Sequence, residues 1–375
     1  MNVDSRPRSF PGRAQRGDHV ITSIRIQDFK GHRDSVIPLG PLTVLVGPNG
    51  SGKTSVLDAL GIQSDLATSA VENVLTGDRS YEDLLRRGAK GPIGLTFKGL
   101  DWTCRLELSE AAMACFWEKG VDVRKVQVAP GQSLRDRMRD ITPLLGPANL
   151  YKLNAEMIAA AAYSDRPGPD VGFDGTNTAV ALAAIKLGYD EAFVRIEESL
   201  RRIIPNAERV RIRQAVVQRS SPTARHVTED VIGSKVFFDF TGAPGVPAHA
   251  ASEGTLVTLA LLTILHGPNR PNVLLLDDIG GSLHPKAQVE LVRLIKRLLG
   301  EHKDLQIVAT THSPDLLDEL HSSEVQAFAL REDGTVATKS LADHPKATKL
   351  KGTLTAGQLW SLDPEQEWVI AGAEP

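Results

Sequence analysis

The eight residues "GPNGSGKT" at 47–54 constrain the fold more than any other stretch of this chain. They fit the pattern G-x-x-x-x-G-K-[ST]. They follow an apolar run, "LTVLV", and precede a stretch that reads as a helix over 53–62. The chemistry dictates the spacing. Gly47, Gly50 and Gly52 let the backbone curl until successive N–H groups face one anion. The helix start adds partial positive charge. Pro48, Asn49, Ser51 and Ser55 complete the loop. Lys53 is placed to reach the β- and γ-phosphates of a nucleotide, and the Thr54 hydroxyl to ligate Mg²⁺. A loop of this kind sits at the carboxyl end of a parallel strand, so the chain is expected to be α/β.

The second half of such a site lies far along the chain. "NVLLLDD" is an apolar strand ending in Asp277 and Asp278. A carboxylate at that edge of a buried strand is where a magnesium ligand is expected. Asp277 takes that role, directly or through a water. Asp278 then faces the attacking water. "LQIVATTHSPDLLDEL" is another apolar strand, ending in Thr311, His312 and Ser313. His312 is placed to donate to the γ-phosphate or to hold the water. Ser313 and Pro314 read as the cap and first residue of a helix. "ASEGTLVTLALLTIL" puts Ser252, Glu253 and Gly254 at the start of a long apolar helix, and Gly254 precedes Asp277 by 23 residues. That is room for one helix and a short loop.

Between these motifs the pattern changes. "HVITSIRIQDF" and "SVIPL" read as paired strands, and "PIGLTFKGLDWTCRLELS" as two strands around Gly99. "LRDRMRD" reads as a short helix, "AYSDRPGPDVGFDGT" as loop, and "YDEAFVRIEESLRRII" as a helix stopped by Pro205. "ERVRIRQAVVQR" alternates as a strand, with Arg209, Arg211 and Arg213 on one face. That stripe is either a solvated sheet face or a phosphate contact. No internal repeat and no long heptad run is present.

These four elements, "GPNGSGKT", "SEGTL", "LLLDDIGGSLHP" and "TTHSP", resemble the ABC-type ATPases of the RecF/SMC/OLD-like branch, and among them the AAA_21-type bacterial ATP-binding proteins. "IQDFKGHRD", "FDGTNTAVAL" and "RIEESLRRIIP" are similar to that subgroup as well. The likeness spans about residues 19–332. It implies an ABC-ATPase head of the P-loop NTPase class, with a mixed sheet, an antiparallel β lobe and an inserted, mainly helical segment. The expected organisation is a disordered leader over 1–18 and the first part of the head over 19–104. An inserted lobe follows over 105–230, then the rest of the head over 231–340 and a tail over 341–375. The resemblance further implies ATP and Mg²⁺ as cofactors. It implies two heads meeting head to tail, with Ser252, Glu253 and Gly254 acting on the nucleotide held by the other protomer. Lys53, Asp278 and His312 are the catalytic set. The family often carries Asp-Glu-Pro where this chain has Asp277-Asp278-Ile279, and a carboxylate one methylene shorter makes slow turnover the expectation. A glutamine loop is not placed, and Gln132 is the candidate for it. His284 is either an interface residue or an ordinary helix-start histidine.

Composition excludes some classes and leaves others open. Net charge is -3, so any DNA contact rests on a local patch. The two cysteines, Cys104 and Cys115, are too few for a disulfide framework. The longest apolar run, "LVTLALLTIL", falls short of a membrane span and reads as a buried helix. A cytoplasmic protein without a membrane partner is therefore expected. Only 63 residues follow His312, which is short for a complete nuclease domain. The functional expectation is an ATPase that pairs with itself, acts on DNA or regulates a separate nuclease or effector, and serves anti-phage defence or DNA repair. An ATP-binding switch with negligible hydrolysis is the alternative. Trp360 and Trp368 near the end mark an interface or fold back onto the head.

Overall fold

A computed structural model describes residues 20–110, 112–129, 131–138, 148–220, 228–350 and 352–371. The expected leader over 1–18 lies outside them. The chain opens with β1 (Ser23–Phe29) and β2 (His32–Pro38), then β3 (Leu42–Val46), which leads through the phosphate loop into α1 (Lys53–Thr68). Short helices α2 (Val71–Val74) and α3 (Tyr81–Leu84) precede four strands: β4 (Ile93–Lys98), β5 (Thr103–Ser109), β6 (Ala112–Lys119) and β7 (Asp122–Val128). Then come α4 (Leu134–Arg137), β8 (Ala148–Tyr151), α5 (Ala155–Ala159), α6 (Thr178–Gly188) and α7 (Asp190–Ile203). A long hairpin of β9 (Ala207–Ser220) and β10 (Thr228–Phe240) is followed by β11 (Ala243–Pro247). The last third runs α8 (Glu253–His266), β12 (Val273–Leu276), α9 (Pro285–Glu301), β13 (Gln306–Thr310), α10 (Pro314–Leu317), β14 (Val325–Leu330) and β15 (Val336–Ser340). It closes with α11 (Ala356–Trp360) and α12 (Glu365–Val369).

The central sheet has the order β15-β14-β3-β13-β12-β8. Five of its strands are parallel, and β15 is an antiparallel edge. Period-two alternation in its buried strands splits the core in two. Val44 and Val46, Leu274 and Leu276, and Ile307 and Ala309 face the layer of α6 to α9. Leu45, Leu275 and Val308 face α1 and the antiparallel lobe. That lobe is a six-stranded sheet of order β2-β1-β4-β5-β6-β7. Its interior holds Cys104 and Cys115 as free thiols with sulfurs 3.7 Å apart.

The expected bounds of the insertion meet strands of the structure. The boundaries at 104 and 230 fall inside β5 and β10. The segment between them carries α4 to α7 and also supplies β6 and β7 to the lobe, β8 to the central sheet and β9 to the hairpin. The predicted arginine face of β9 exists but is partly engaged. Arg211 pairs with Asp239 at 2.6 Å, and the Arg213 guanidinium lies over the Phe237 ring. The tail folds back: Trp368 is 3% exposed and α12 packs on β14.

Candidate nucleotide-binding site

The parallel order brings the ends of β3, β13, β12 and β8 side by side. Three of the four motifs read from the sequence each terminate one of the first three. In the loop after β3, Gly47, Gly50 and Gly52 all have positive φ, at 137°, 77° and 95°. At Gly47 a Cβ would collide with the Phe328 carbonyl of β14, so only glycine fits there. The Ser51 hydroxyl is buried without a hydrogen-bond partner. Lys53 curls back and donates to the carbonyls of Gly47 and Pro48, both at 2.8 Å. Burial pushes its ammonium below the usual lysine range, against the opposing pull of Asp277, Glu365 and Asp278.

Beneath the loop lies a residue whose role the sequence hid. His32, at the start of β2, is buried, and its Nε2 is 3.2 Å from the Gly52 carbonyl. A carbonyl only accepts, so Nε2 carries the proton and Nδ1 accepts from the Ser35 hydroxyl at 2.9 Å. The ring is neutral: burial pushes its pKa down to about 4.

Asp277 is held from three sides. Its Oδ1 accepts from the Thr310 hydroxyl at 2.8 Å and the Thr54 hydroxyl at 3.2 Å, and its Oδ2 lies 3.7 Å from the Lys152 ammonium. Thr54 and Asp277 therefore present two hard oxygens 3.2 Å apart. Adjacent ligands of an octahedral Mg²⁺ with bonds of about 2.1 Å are about 3 Å apart, so the pair fits this metal. Asp278 adopts left-handed backbone, φ 60°, while its N–H donates to Thr310 Oγ1 at 2.8 Å. Its exposed carboxylate folds toward Gly281, where a Cβ would lie 2.8 Å from Oδ2. Asp277 and Asp278 border one cavity of about 310 Å³, which Glu253 and Lys152 also line.

His312 is exposed, two residues beyond the Thr310 that grips Asp277. Ser313 is the N-cap residue of α10 and Pro314 its first residue, as expected, but the Ser313 side chain makes no capping bond. Its hydroxyl instead donates to Gln288 Oε1 at 2.5 Å, while Gln288 Nε2 donates to the carbonyls of Gly280 and Leu283. Gln288 thus ties the turn after Asp278 to the segment after His312. Gln132 is not beside Asp277. It lies in the turn after β7, with its N–H on the Ala129 carbonyl. The strand flanking β12 is β8, and the residue after it is Lys152.

Ser252 and Gly254 stand apart from the loop. Ser252 caps α8 by accepting from the Thr255 N–H, and a Cβ on Gly254 would lie 2.7 Å from the Ser282 carbonyl. Both open onto a depression of about 760 Å³ with Arg202, His284 and Lys286, which none of the residues 47–54 lines. His284 caps α9 through its ring, accepting from the Lys286 N–H.

A phosphate loop, a strand-end aspartate beside its Thr54 and a separate serine-glycine helix start on one parallel sheet define an ABC-type ATP-binding head. Comparison with known proteins agrees. Residues 151–318 match the family described as "AAA domain, putative AbiEii toxin, Type IV TA system", and residues 20–84 match "AAA ATPase domain". Together these matches support an ABC-type ATPase of the RecF/SMC/OLD-like branch. Septu protein PtuA of Bacillus mycoides (strain KBAB4) is 21% identical over 90% of this chain and 44% of its own length. The OLD nuclease of Thermus scotoductus is 42% identical over 43 residues, 12% of this chain and 8% of that one. The chain spans less than half the length of the curated relatives it matches. Among solved structures, an SMC head bound to the C-winged helix domain of ScpA aligns at a TM-score of 0.54 and 16% identity, over 88% of this chain and 99% of that one. That likeness is one of fold.

Proposed function

We infer that this chain is an Mg²⁺-dependent ATPase whose heads pair head to tail on ATP and whose opening and closing act on DNA or on a separate nuclease or effector. The observation that carries the reading is the convergence of Thr54, Thr310 and Asp277 on one point beside the phosphate loop. Lys53 and the backbone of residues 47–54 would hold the phosphates. Mg²⁺ on Thr54 and Asp277 would neutralise charge developing between the β- and γ-phosphates. Asp278 would orient the attacking water, and His312 would face the γ-phosphate. In a head-to-tail pair, Ser252, Glu253 and Gly254 of one head would close on the nucleotide of the other. Ser252 and Gly254 share their depression with Arg202, Lys286 and Arg293 against one carboxylate, Glu290, a net positive rim that suits such an anion.

The relatives named for Septu and for the OLD nuclease support a setting in anti-phage defence, with DNA repair as the neighbouring option. Among the described residues, no group of three or more His, Cys, Asp or Glu is arranged to hold a metal. No helix among them is long and apolar enough to cross a membrane.

A specific observation favours a second reading, an ATP-operated switch with negligible turnover: the short Asp278 side chain folds onto Gly281. Single-turnover hydrolysis separates the two. The ATPase reading expects phosphate release that Asp278→Asn abolishes and tight ATP binding that Lys53→Ala removes. Binding without release would establish the switch, and unchanged ATP affinity in Lys53→Ala would sink both.

A further inference from the structure

We propose that Lys152 is the γ-phosphate-sensing cation of this site: its ammonium stands beside Asp277 and would transfer to the γ-phosphate of Mg²⁺-ATP. The inference rests on the ATP-binding reading above and adds a residue and a role to it.

Backbone pairing fixes where Lys152 stands. Strands β8 and β12 run parallel with Tyr151 opposite Leu276, and the Asp277 N–H donates to the Tyr151 carbonyl at 2.8 Å. Lys152 is therefore level with Asp277, on the side of β12 away from the phosphate loop. Its own N–H donates to the Phe173 carbonyl at 2.9 Å, and the Asn154 N–H donates to the Asp174 carbonyl at 2.9 Å. The backbone at 152 is pinned between a sheet and a loop, while the side chain is 66% exposed. A rigid base carrying a free arm suits a group that changes partner.

The present partner is a loose one. The ammonium lies 3.7 Å from Asp277 Oδ2, beyond hydrogen-bond distance. The other carboxylate oxygen is committed to Thr310 and Thr54. An ion pair with one member so exposed contributes little to stability. Room for movement is at hand, since Lys152 lines the 310 Å³ cavity together with Asp277, Asp278 and Glu253.

Charge then gives the exchange its direction. A divalent cation bound at Thr54 and Asp277 neutralises the carboxylate and repels an ammonium next to it. The same event delivers the γ-phosphate, the one new anion within reach of a lysine already 3.7 Å from the metal's carboxylate. ADP with Mg²⁺ supplies the repulsion without the acceptor. Lys152 should therefore favour triphosphate over diphosphate, whereas Lys53, anchored in the loop, serves both.

The experiment compares affinities for a non-hydrolysable ATP analogue and for ADP, both with Mg²⁺, in the wild type, Lys152→Gln and Lys152→Arg. The expected result is a wild-type preference for the triphosphate that shrinks about tenfold in Lys152→Gln, with ADP affinity unchanged, and that Lys152→Arg largely restores. Thermal stability should not move. A wild type without triphosphate preference, a preference intact in Lys152→Gln, or an equal loss for both nucleotides would overturn the role of Lys152 and leave the ATP-binding reading standing. Failure of the wild type to bind either nucleotide would overturn the ATP-binding reading itself, and this role with it.

Discussion

At the scale of single residues, His32 shows how closely loop geometry and protonation are joined. It is neutral in the fold, with a pKa of about 4 against an ordinary 6.5. The unfolded chain thus binds a proton there at a higher pH than the folded chain does. Stability contributed by the neutral ring is complete above about pH 6.5 and is lost as pH falls toward 4. The shift amounts to a loss of about 2 kcal/mol by pH 5. His266, also pushed down to about 4, adds a similar slope of its own. Urea midpoints at pH 7.5 and pH 5 should therefore converge in His32→Asn relative to wild type, by His32's share. Equal pH sensitivity in the two proteins would remove His32 from the account. The same variant leaves the Gly52 carbonyl without its ring donor, so weaker nucleotide binding at pH 7.5 is also expected. The loop itself was legible in the sequence because its ligating groups are contiguous, and Asp277 because an apolar strand ends on it. His32, Thr310 and Lys152 were not, because their partners are set by strand pairings between distant segments. Nothing local in "NLYKLN" indicates that its lysine stands beside residue 277.

At the scale of elements, two glycines in helices predict opposite outcomes from the same substitution. Gly61 is in the interior of α1, and a Cβ added there would meet nothing within 4 Å. Gly61→Ala should stabilise by about 0.5–1 kcal/mol, through helix propensity and reduced freedom of the unfolded chain. Gly254, in the first turn of α8, packs so closely on Ser282 and Leu283 that a Cβ would lie 2.7 Å from a backbone carbonyl and 3.0 Å from Leu283 Cδ2. Gly254→Ala should cost about 1–3 kcal/mol, because backbone has to yield. Chemical denaturation of the two variants checks both signs, and a neutral Gly254→Ala would mean that the turn over 280–283 gives way easily. The helix boundaries follow the same physics. The stretch expected to end at 62 continues to Thr68 because Leu66 and Ala67 remain on the buried face. Sequence alternation located β9, but not β10 as its partner across the boundary placed at 230, since "TEDVIGSKVFFDF" mixes polar and apolar residues on both faces.

At the scale of the whole molecule, the chain carries two regions that the proposed pairing would use as half-sites. The phosphate loop, Asp277 and Thr310 are gathered at one place, and Ser252 and Gly254 open onto another with His284 and Lys286. Gln288 links the two regions mechanically, holding the Gly280 and Leu283 carbonyls with one amide end and Ser313, next to His312, with the other. The tail reinforces the head: α11 packs on α10, and a Cβ on Gly357 would collide with the Pro314 carbonyl. Pairing of two heads is the arrangement in which each half-site would complete the other. Its signature is ligand-linked assembly, since nucleotide that binds more tightly to the pair than to the single head draws the equilibrium toward the pair. Sedimentation velocity of Asp278→Asn with Mg²⁺-ATP should therefore show a doubled mass that ADP does not produce. Adding Ser252→Arg should return the protein to the monomer, because a long cationic side chain at that helix start blocks the approach of a second loop. ATP affinity per head in that double variant should fall only by the share the partner contributes, since Lys53 and Thr54 are untouched. A mass that ignores nucleotide, or a dimer indifferent to Ser252→Arg, would mean that the two half-sites serve different ligands.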